Sequence, residues 1–165
     1  MTYILYNPHS GNGKSREIAE ELYAKRTVAT AGCAEALEFQ ISDITEIDYP
    51  VLFSSLAETD TLIICGGDGT INRFVNDTEG IGYSCRILYM PCGTGNDFYK
   101  DVMPEGGELP FDITDYLKGL PSVTVDGKTK KFINGIGFGI DGYCCEVGDA
   151  IRAKGKGSKL YRNCY

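Results

Sequence analysis

The sequence predicts an α/β domain: a mainly parallel sheet in a three-layer arrangement, with helices on both faces. Three observations carry this. Strand-like runs alternate with helical periodicity from residue 2 to residue 102. The runs TYILYN (2–7), TLIICGG (61–67) and RILYMP (86–91) are continuously apolar, as strands buried on both sides are. Each gives way to a glycine-bearing turn before a helical segment.

Taken in order, TYILYN is a buried strand, and SREIAEELYAKRTVA (15–29) places Ile18 and Leu22 at helical spacing. ALEFQIS (36–42) reads as the second strand, followed by a helix somewhere within 45–58 and then by TLIICGG. TINRFVND (70–77) is helical, RILYMP is the next strand, and NDFYKDV (96–102) opens another helix. Beyond Pro110 the rhythm changes. FDITDYLKG (111–119) is predicted helical, and 122–139 reads as two strands joined around Asp126-Gly127, an added antiparallel layer. From Asp141 onward no completed element is evident. The chain is expected to be a fragment, with one α/β domain over 1–140 and the start of a connection over 141–165.

Seven cysteines, an odd number with no CxxC pair and no histidine at zinc spacing, read as reduced thiols of a cytoplasmic protein, with Cys65 acting as a small hydrophobe inside its strand. The amino terminus lacks the pattern of a secretory signal, and no stretch approaches the length that spans a bilayer. A net charge of −7 argues against a nucleic-acid binder. Five basic and no acidic residues follow from Arg152, which leaves −12 on residues 1–151. An acidic body that binds a polyanion must rely on backbone amides, helix ends and a metal ion.

Three glycine turns carry the chemistry. NPHSGNGKS (7–15) ends like a P-loop, but Pro8 stands where that motif needs glycine and has no N–H to offer a phosphate. GGDGT (66–70) leads from a buried strand into a helix whose free amides and positive end suit a phosphate. Asp68 fits there as a Mg²⁺ ligand, direct or through water, or as the acceptor of a proton from an attacking hydroxyl. PCGTGNDF (91–98) repeats the design. Ligands of open α/β sheets bind beyond the carboxyl ends of the strands, so the three turns are expected to share one phosphate and nucleotide site.

In this order and spacing, NPHSGNGK, GGDGTIN (66–72) and PCGTGNDF resemble the catalytic domain of the diacylglycerol kinase family, which includes bacterial lipid kinases and sphingosine kinases. GGDGT alone is shared with NAD kinases; the first and third motifs favour lipid kinases. NGIGFGIDG (134–142) also resembles a segment of the family.

The resemblance implies an ATP- and Mg²⁺-dependent lipid kinase of phospholipid metabolism, transferring the γ-phosphoryl group to a hydroxyl of diacylglycerol or a related lipid. It implies nucleotide contacts at Asn7, Pro8, His9, Ser10 and Gly11, at Gly66, Gly67, Asp68, Gly69, Thr70, Ile71 and Asn72, and at Thr94. Asp68 would be the essential acidic residue, with the catalytic-base role that the sphingosine kinase branch gives the matching aspartate, and would meet the metal through Mg-ATP; Asp141 would touch the lipid head group, and a residue near Ser42 or Asp43 would approach the adenosine. Lipid and nucleotide are the implied partners, with peripheral contact at the inner membrane face. The family's β-rich second domain, which the resemblance credits with much of the lipid cleft, the general base of the bacterial enzymes and a structural magnesium site, is expected to be missing from these 165 residues, so the chain by itself is expected to bind nucleotide better than it catalyses. A non-catalytic nucleotide-binding module and an NAD kinase-like enzyme are the alternative readings.

Individual residues carry blander readings too. His9 reads as a loop-surface residue before an acid or base, and Lys14 reads equally as a phosphate contact or a solvated side chain. Asp97, with Asn96, reads as a helix cap before a metal ligand. The basic stretch RAKGKGSKLYR (152–162) reads as a solvated loop, with anionic membrane lipid as the alternative.

Overall fold

The computed structural model describes residues 1–30, 39–103, 107–137 and 139–153. Four parallel strands, β1 (Thr2–Tyr6), β2 (Phe39–Asp43), β3 (Thr61–Gly66) and β4 (Arg86–Pro91), form a sheet with the short antiparallel β5 (Phe111–Asp112), in the order β2-β1-β3-β4-β5. Helices α1 (Ser15–Thr30), α2 (Tyr49–Ser55), α3 (Asp68–Asp77) and α4 (Asp97–Val102) fill the crossovers.

Continuous apolarity in the strands follows from their burial on both faces. Ile4, Ile63, Cys65 and Leu88 pack with Ala19 of α1 on one side, while their neighbours Leu5, Leu62, Ile64, Ile87 and Tyr89 pack with Ile71, Phe74, Phe53 and Phe98 of the other helices. The predicted mainly parallel, three-layer α/β architecture is therefore present. The chain leaves β1 for β2 on one side and for β3 on the other, so β1 and β3 flank a topological switch point. Turns at their carboxyl ends open onto a crevice where such sheets take ligands.

Three elements differ from expectation. The segment 111–119 is not helical: Phe111–Asp112 joins the sheet edge, and only Tyr116–Gly119 forms a 3₁₀ turn. Edge pairing wins because Ile113 N donates to Ile87 O at 2.9 Å, Ile87 N donates to Thr114 Oγ1 at 2.8 Å, and Arg86 pairs with Asp112 at 2.9 Å. Helix α3 starts at Asp68 instead of Thr70, so Asp68 lies in its first turn. The stretch after Gly139 forms α5 (Ile140–Ala153), with Ile140, Cys144, Val147 and Ile151 at helical spacing. The predicted second strand is observed from Phe39, and its start at 36–38 lies outside the described residues. Strands β6 (Ser122–Val125) and β7 (Lys128–Lys131) form a separate hairpin whose turn places Asp126 and Gly127 in the left-handed region, as the Asp-Gly pair predicts. Asn76 of α3 clips this hairpin, donating to Lys131 O and accepting from Lys131 N, each at 3.0 Å. The chain divides into two units, Met1–Asn134 and Gly135–Tyr165; the second contains α5. No helix among the described residues is long and apolar enough to cross a membrane.

Partial burial pushes the Asp112 carboxyl up, yet the Thr114 hydroxyl and amide, together with Arg86, hold it below its ordinary value. A depressed carboxylate stabilises the fold above its unfolded pKa and loses that contribution as pH falls through the folded one. Acid titrations of wild type and Asp112→Asn are therefore expected to diverge near neutrality and converge at low pH. A constant gap between them would assign the effect to packing alone.

Candidate nucleotide site

The first turn leaves β1 with Asn7 N donating to Cys65 O at 3.0 Å, which ties it to the neighbouring strand β3. Ser10–Gly13 then forms a 3₁₀ turn broken by left-handed Gly11 (φ 60°) and Asn12 (φ 56°). Ser15 returns a hydroxyl hydrogen bond to Asn7 O. The loop is thus a compact knot and not the phosphate nest of a P-loop, in keeping with Pro8.

Thr70, buried in the first turn of α3, is the hub between the first two turns. Its Oγ1 accepts from Asn7 Nδ2 at 2.8 Å and from Gly67 N at 3.3 Å, and lies 3.0 Å from Ser10 Oγ. Its hydroxyl is saturated by the protein, so its contribution is to hold loops together. Ile71 is fully buried in the core, which leaves only its main chain for any ligand.

The third turn meets both others through backbone. Cys92 N donates to Gly66 O at 2.6 Å, and a Cβ on Gly93 would come within 2.6 Å of Gly67 Cα. A Cβ on Gly11 would collide with Cys92 O. These glycines are required by close approach of main chain to main chain. Asn96, itself left-handed at φ 53°, closes the turn by accepting from Gly93 N and donating to Gly93 O, both at 2.9 Å. The three turns therefore come together at the carboxyl ends of β1, β3 and β4.

Asp68 is placed differently from a free carboxylate. Its Oδ2 accepts from Asp97 N and its Oδ1 from Phe98 N, each at 3.0 Å. The expected Asn96–Asp97 cap is thus supplied from α3: the Asp68 side chain satisfies the first amides of α4, and Asn96 makes no side-chain cap. Each Asp68 oxygen retains acceptor capacity beyond its one amide.

The first-turn amides of α3 at Asp68 and Gly69, and those of Thr94 and Gly95, have no hydrogen-bond partner among the described residues. Thr94 is exposed at the tip of the third turn, and His9 and Lys14 are exposed on the first. Beside the Asn7–Thr70 contact lies a cavity of about 60 Å³, lined by Asn7, His9, Ile44, Thr45, Tyr49, Thr70, Arg73 and Phe74. Asn7, His9 and Thr70 of this lining were expected on sequence; from the β2 side sequence reasoning reached only Ser42 or Asp43. Asp43 is occupied, its carboxylate accepting from Thr45 N at 2.8 Å and from Thr45 Oγ1 at 2.7 Å, and Thr45 lines the cavity instead. Tyr49 and Arg73 were also missed, because no motif marks them. Burial, with Asp77 adding and Arg73 opposing, pushes the Tyr49 hydroxyl up to about 12, so it stays a neutral donor.

No group of three or more His, Cys, Asp or Glu side chains suited to a metal exists among the described residues. A Cβ built on Gly95 would lie 3.3 Å from Asp97 Oδ2 and 3.5 Å from Asp68 Oδ2, so two carboxylates flank that residue. Such a pair fits a magnesium ion that arrives with phosphate ligands of its own. Asp141 is the second residue of α5, in the other unit.

Residues 1–131 match the family described as the diacylglycerol kinase catalytic domain. A diacylglycerol kinase of Staphylococcus epidermidis is 32% identical over 128 residues, covering 78% of this chain and 37% of that protein. A Streptococcus pneumoniae protein named "Putative lipid kinase" is 27% identical over 124 residues, 69% of this chain and 40% of that one. The chain therefore spans less than half the length of these relatives.

Proposed function

Because the chain belongs to the diacylglycerol kinase catalytic domain family, we propose that it is the nucleotide-binding part of an ATP-dependent lipid kinase, transferring the γ-phosphoryl group to a hydroxyl of diacylglycerol or a related lipid. The observation that carries this reading is the meeting of three glycine turns across the switch point, with unpartnered amides at Asp68, Gly69, Thr94 and Gly95. Phosphate oxygens would accept from these amides, aided by the positive end of α3. Asn7, Pro8, His9, Ser10 and Gly11 would wall the other side, and the cavity at Thr45, Tyr49 and Arg73 would receive the nucleoside end. Thr94 would hydrogen-bond the nucleotide, and Asn72 would follow Gly66–Ile71 along its edge.

Asp68 would take the proton of the attacking lipid hydroxyl, its carboxylate held in place by the two α4 amides. Asp68 and Asp97 would hold Mg²⁺ brought by ATP, and that ion would neutralise charge developing on the phosphates. Asp141 would meet the lipid head group, and the working enzyme would sit peripherally on the cytoplasmic side of a membrane. The β-rich second domain of the family would complete the lipid cleft.

Titration of the chain with ATP and Mg²⁺, followed by NMR and calorimetry, tests this. The amide signals of Asp68, Gly69, Thr94 and Gly95 are expected to move together at one affinity. Unmoved signals would remove the nucleotide site. Phosphoryl transfer assayed on diacylglycerol vesicles and on NAD then sorts the acceptors: transfer to NAD would overturn the lipid reading, and binding without turnover on either would favour a non-catalytic module.

A further inference from the structure

Two thiols lie directly beneath the proposed phosphate cradle. Cys65 occupies the next-to-last position of β3 and Cys92 the residue after β4, and both belong to the apolar cluster on the α1 face, at 0% and 6% exposure. Strand register sets Cys65 beside Met90, and Cys92 N is fastened to Gly66 O, which keeps the residue bearing the second thiol against the strand that bears the first. Cys92 Sγ reaches the carbonyl of Met90, the strand partner of Cys65, at 3.3 Å, and the two thiols act on one another's ionisation, Cys65 pushed up and Cys92 drawn down. Among the described residues both are free thiols. On sequence Cys65 reads as a small hydrophobe and Cys92 as part of the PCGTGNDF turn.

We propose that Cys65 and Cys92 form an oxidisable dithiol, a modification site whose disulfide pulls the third turn out of register with the GGDG turn. Its consequence for nucleotide binding rests on the site proposed above. The chemistry balances with a peroxide as oxidant. The Cys92 sulfur attacks a peroxide oxygen, the O–O bond breaks, and a sulfenic acid and one water result. The Cys65 sulfur then attacks that sulfenic sulfur, expelling the second water as the S–S bond forms. Two thiol hydrogens leave with the peroxide oxygens, the sulfur pair is oxidised by two electrons, and the peroxide is reduced to water.

The order of attack follows from position. Cys92 is the less enclosed of the two, and the hydrogen bond from Cys65, with the Gly66 amide, draws its thiol down despite its burial. Cys65 is pushed up by the same hydrogen bond and by its burial, which suits a resolving thiol that acts second. Bringing two sulfurs from van der Waals contact to bonding distance, about 2.05 Å, closes the gap between them by more than about an ångström. Cys65 is locked in the sheet, so Cys92 has to give. Its carbonyl lies against Gly11, and Gly93 next to it lies against Gly67, so the movement reaches all three turns.

The test is peroxide treatment of the 165-residue chain, with peptide mapping under non-reducing conditions and ATP titration before and after. The expected results are a Cys65–Cys92 peptide lighter by two hydrogens, ATP affinity lowered about 10-fold or more by the displaced turn, and recovery of both states on reduction. Cys65→Ala is expected to bind ATP as the reduced wild type does and to keep that affinity after peroxide. The inference is overturned if both cysteines stay alkylatable after the other thiols are oxidised, or if Cys65→Ala loses affinity to the same extent as wild type. Should the reduced protein bind no nucleotide, the nucleotide reading fails, while the peptide map still decides whether the pair is oxidisable.

Discussion

Gly11→Ala is expected to lower the stability of the fold by about 3 kcal/mol, roughly 1 from the left-handed backbone and about 2 from overpacking, and to abolish ATP binding. The new methyl group has no free direction. Gly11 sits at φ 60° and ψ 32°, and the position its Cβ would take is filled by the carbonyl of Cys92, a residue whose amide is tied to Gly66 O. Either the first turn unwinds or the third is pushed off its strand. Urea unfolding of the variant reads the first effect as a shifted midpoint at unchanged slope; calorimetry with ATP reads the second. An unshifted midpoint would mean that the two turns part at no cost, contrary to the packing described.

The second large effect is on Asp68. In protein competent for phosphoryl transfer, Asp68→Asn is expected to slow turnover by about 10²- to 10⁴-fold, the range for loss of a positioned base. It is also expected to cost the fold about 1–2 kcal/mol, because an amide presents only one acceptor to the two α4 amides that the carboxylate now serves. The two losses are separable. Amide signals of Asp97 and Phe98 report the clamp on α4, and turnover at saturating ATP reports chemistry. Normal turnover in a variant with displaced α4 signals would remove Asp68 from the proton transfer and leave it a positioning residue.

Most of the sheet was legible because its strands advertise themselves. TLIIC and RILYM are buried on both faces, and a run of that kind admits few other readings. The same logic failed at FDITDYLKG, where local periodicity favours a helix and a partner 26 residues away, Arg86 for Asp112, favours the sheet. Pairing between distant segments leaves no mark in a local pattern. Helix α5 was missed for the opposite reason: its apolar spacing is regular, but Gly142 and Gly148 interrupt it and hide the signal. At the site, the motifs marked the turns and could not assign duties within them. Thr70 was read as a ligand contact and its hydroxyl is spent on Asn7, Ser10 and Gly67; Asp68 was read as a metal ligand or proton acceptor, and its carboxylate also caps α4. Thr45, Tyr49 and Arg73 reach the cavity from the loop before α2, from α2 and from α3 beyond its GGDGTIN stretch, positions that no motif marks and that only the assembled structure brings together.

The Asn76 clip on the hairpin has a mechanical consequence. A ten-residue helix is a stiff strut about 15 Å long, and α3 has its amide-bearing end at Asp68 and its clipped end at Asn76. A tug on β7 is therefore not absorbed locally: the strut transmits it, and the loops at the far end feel it as a change of aim.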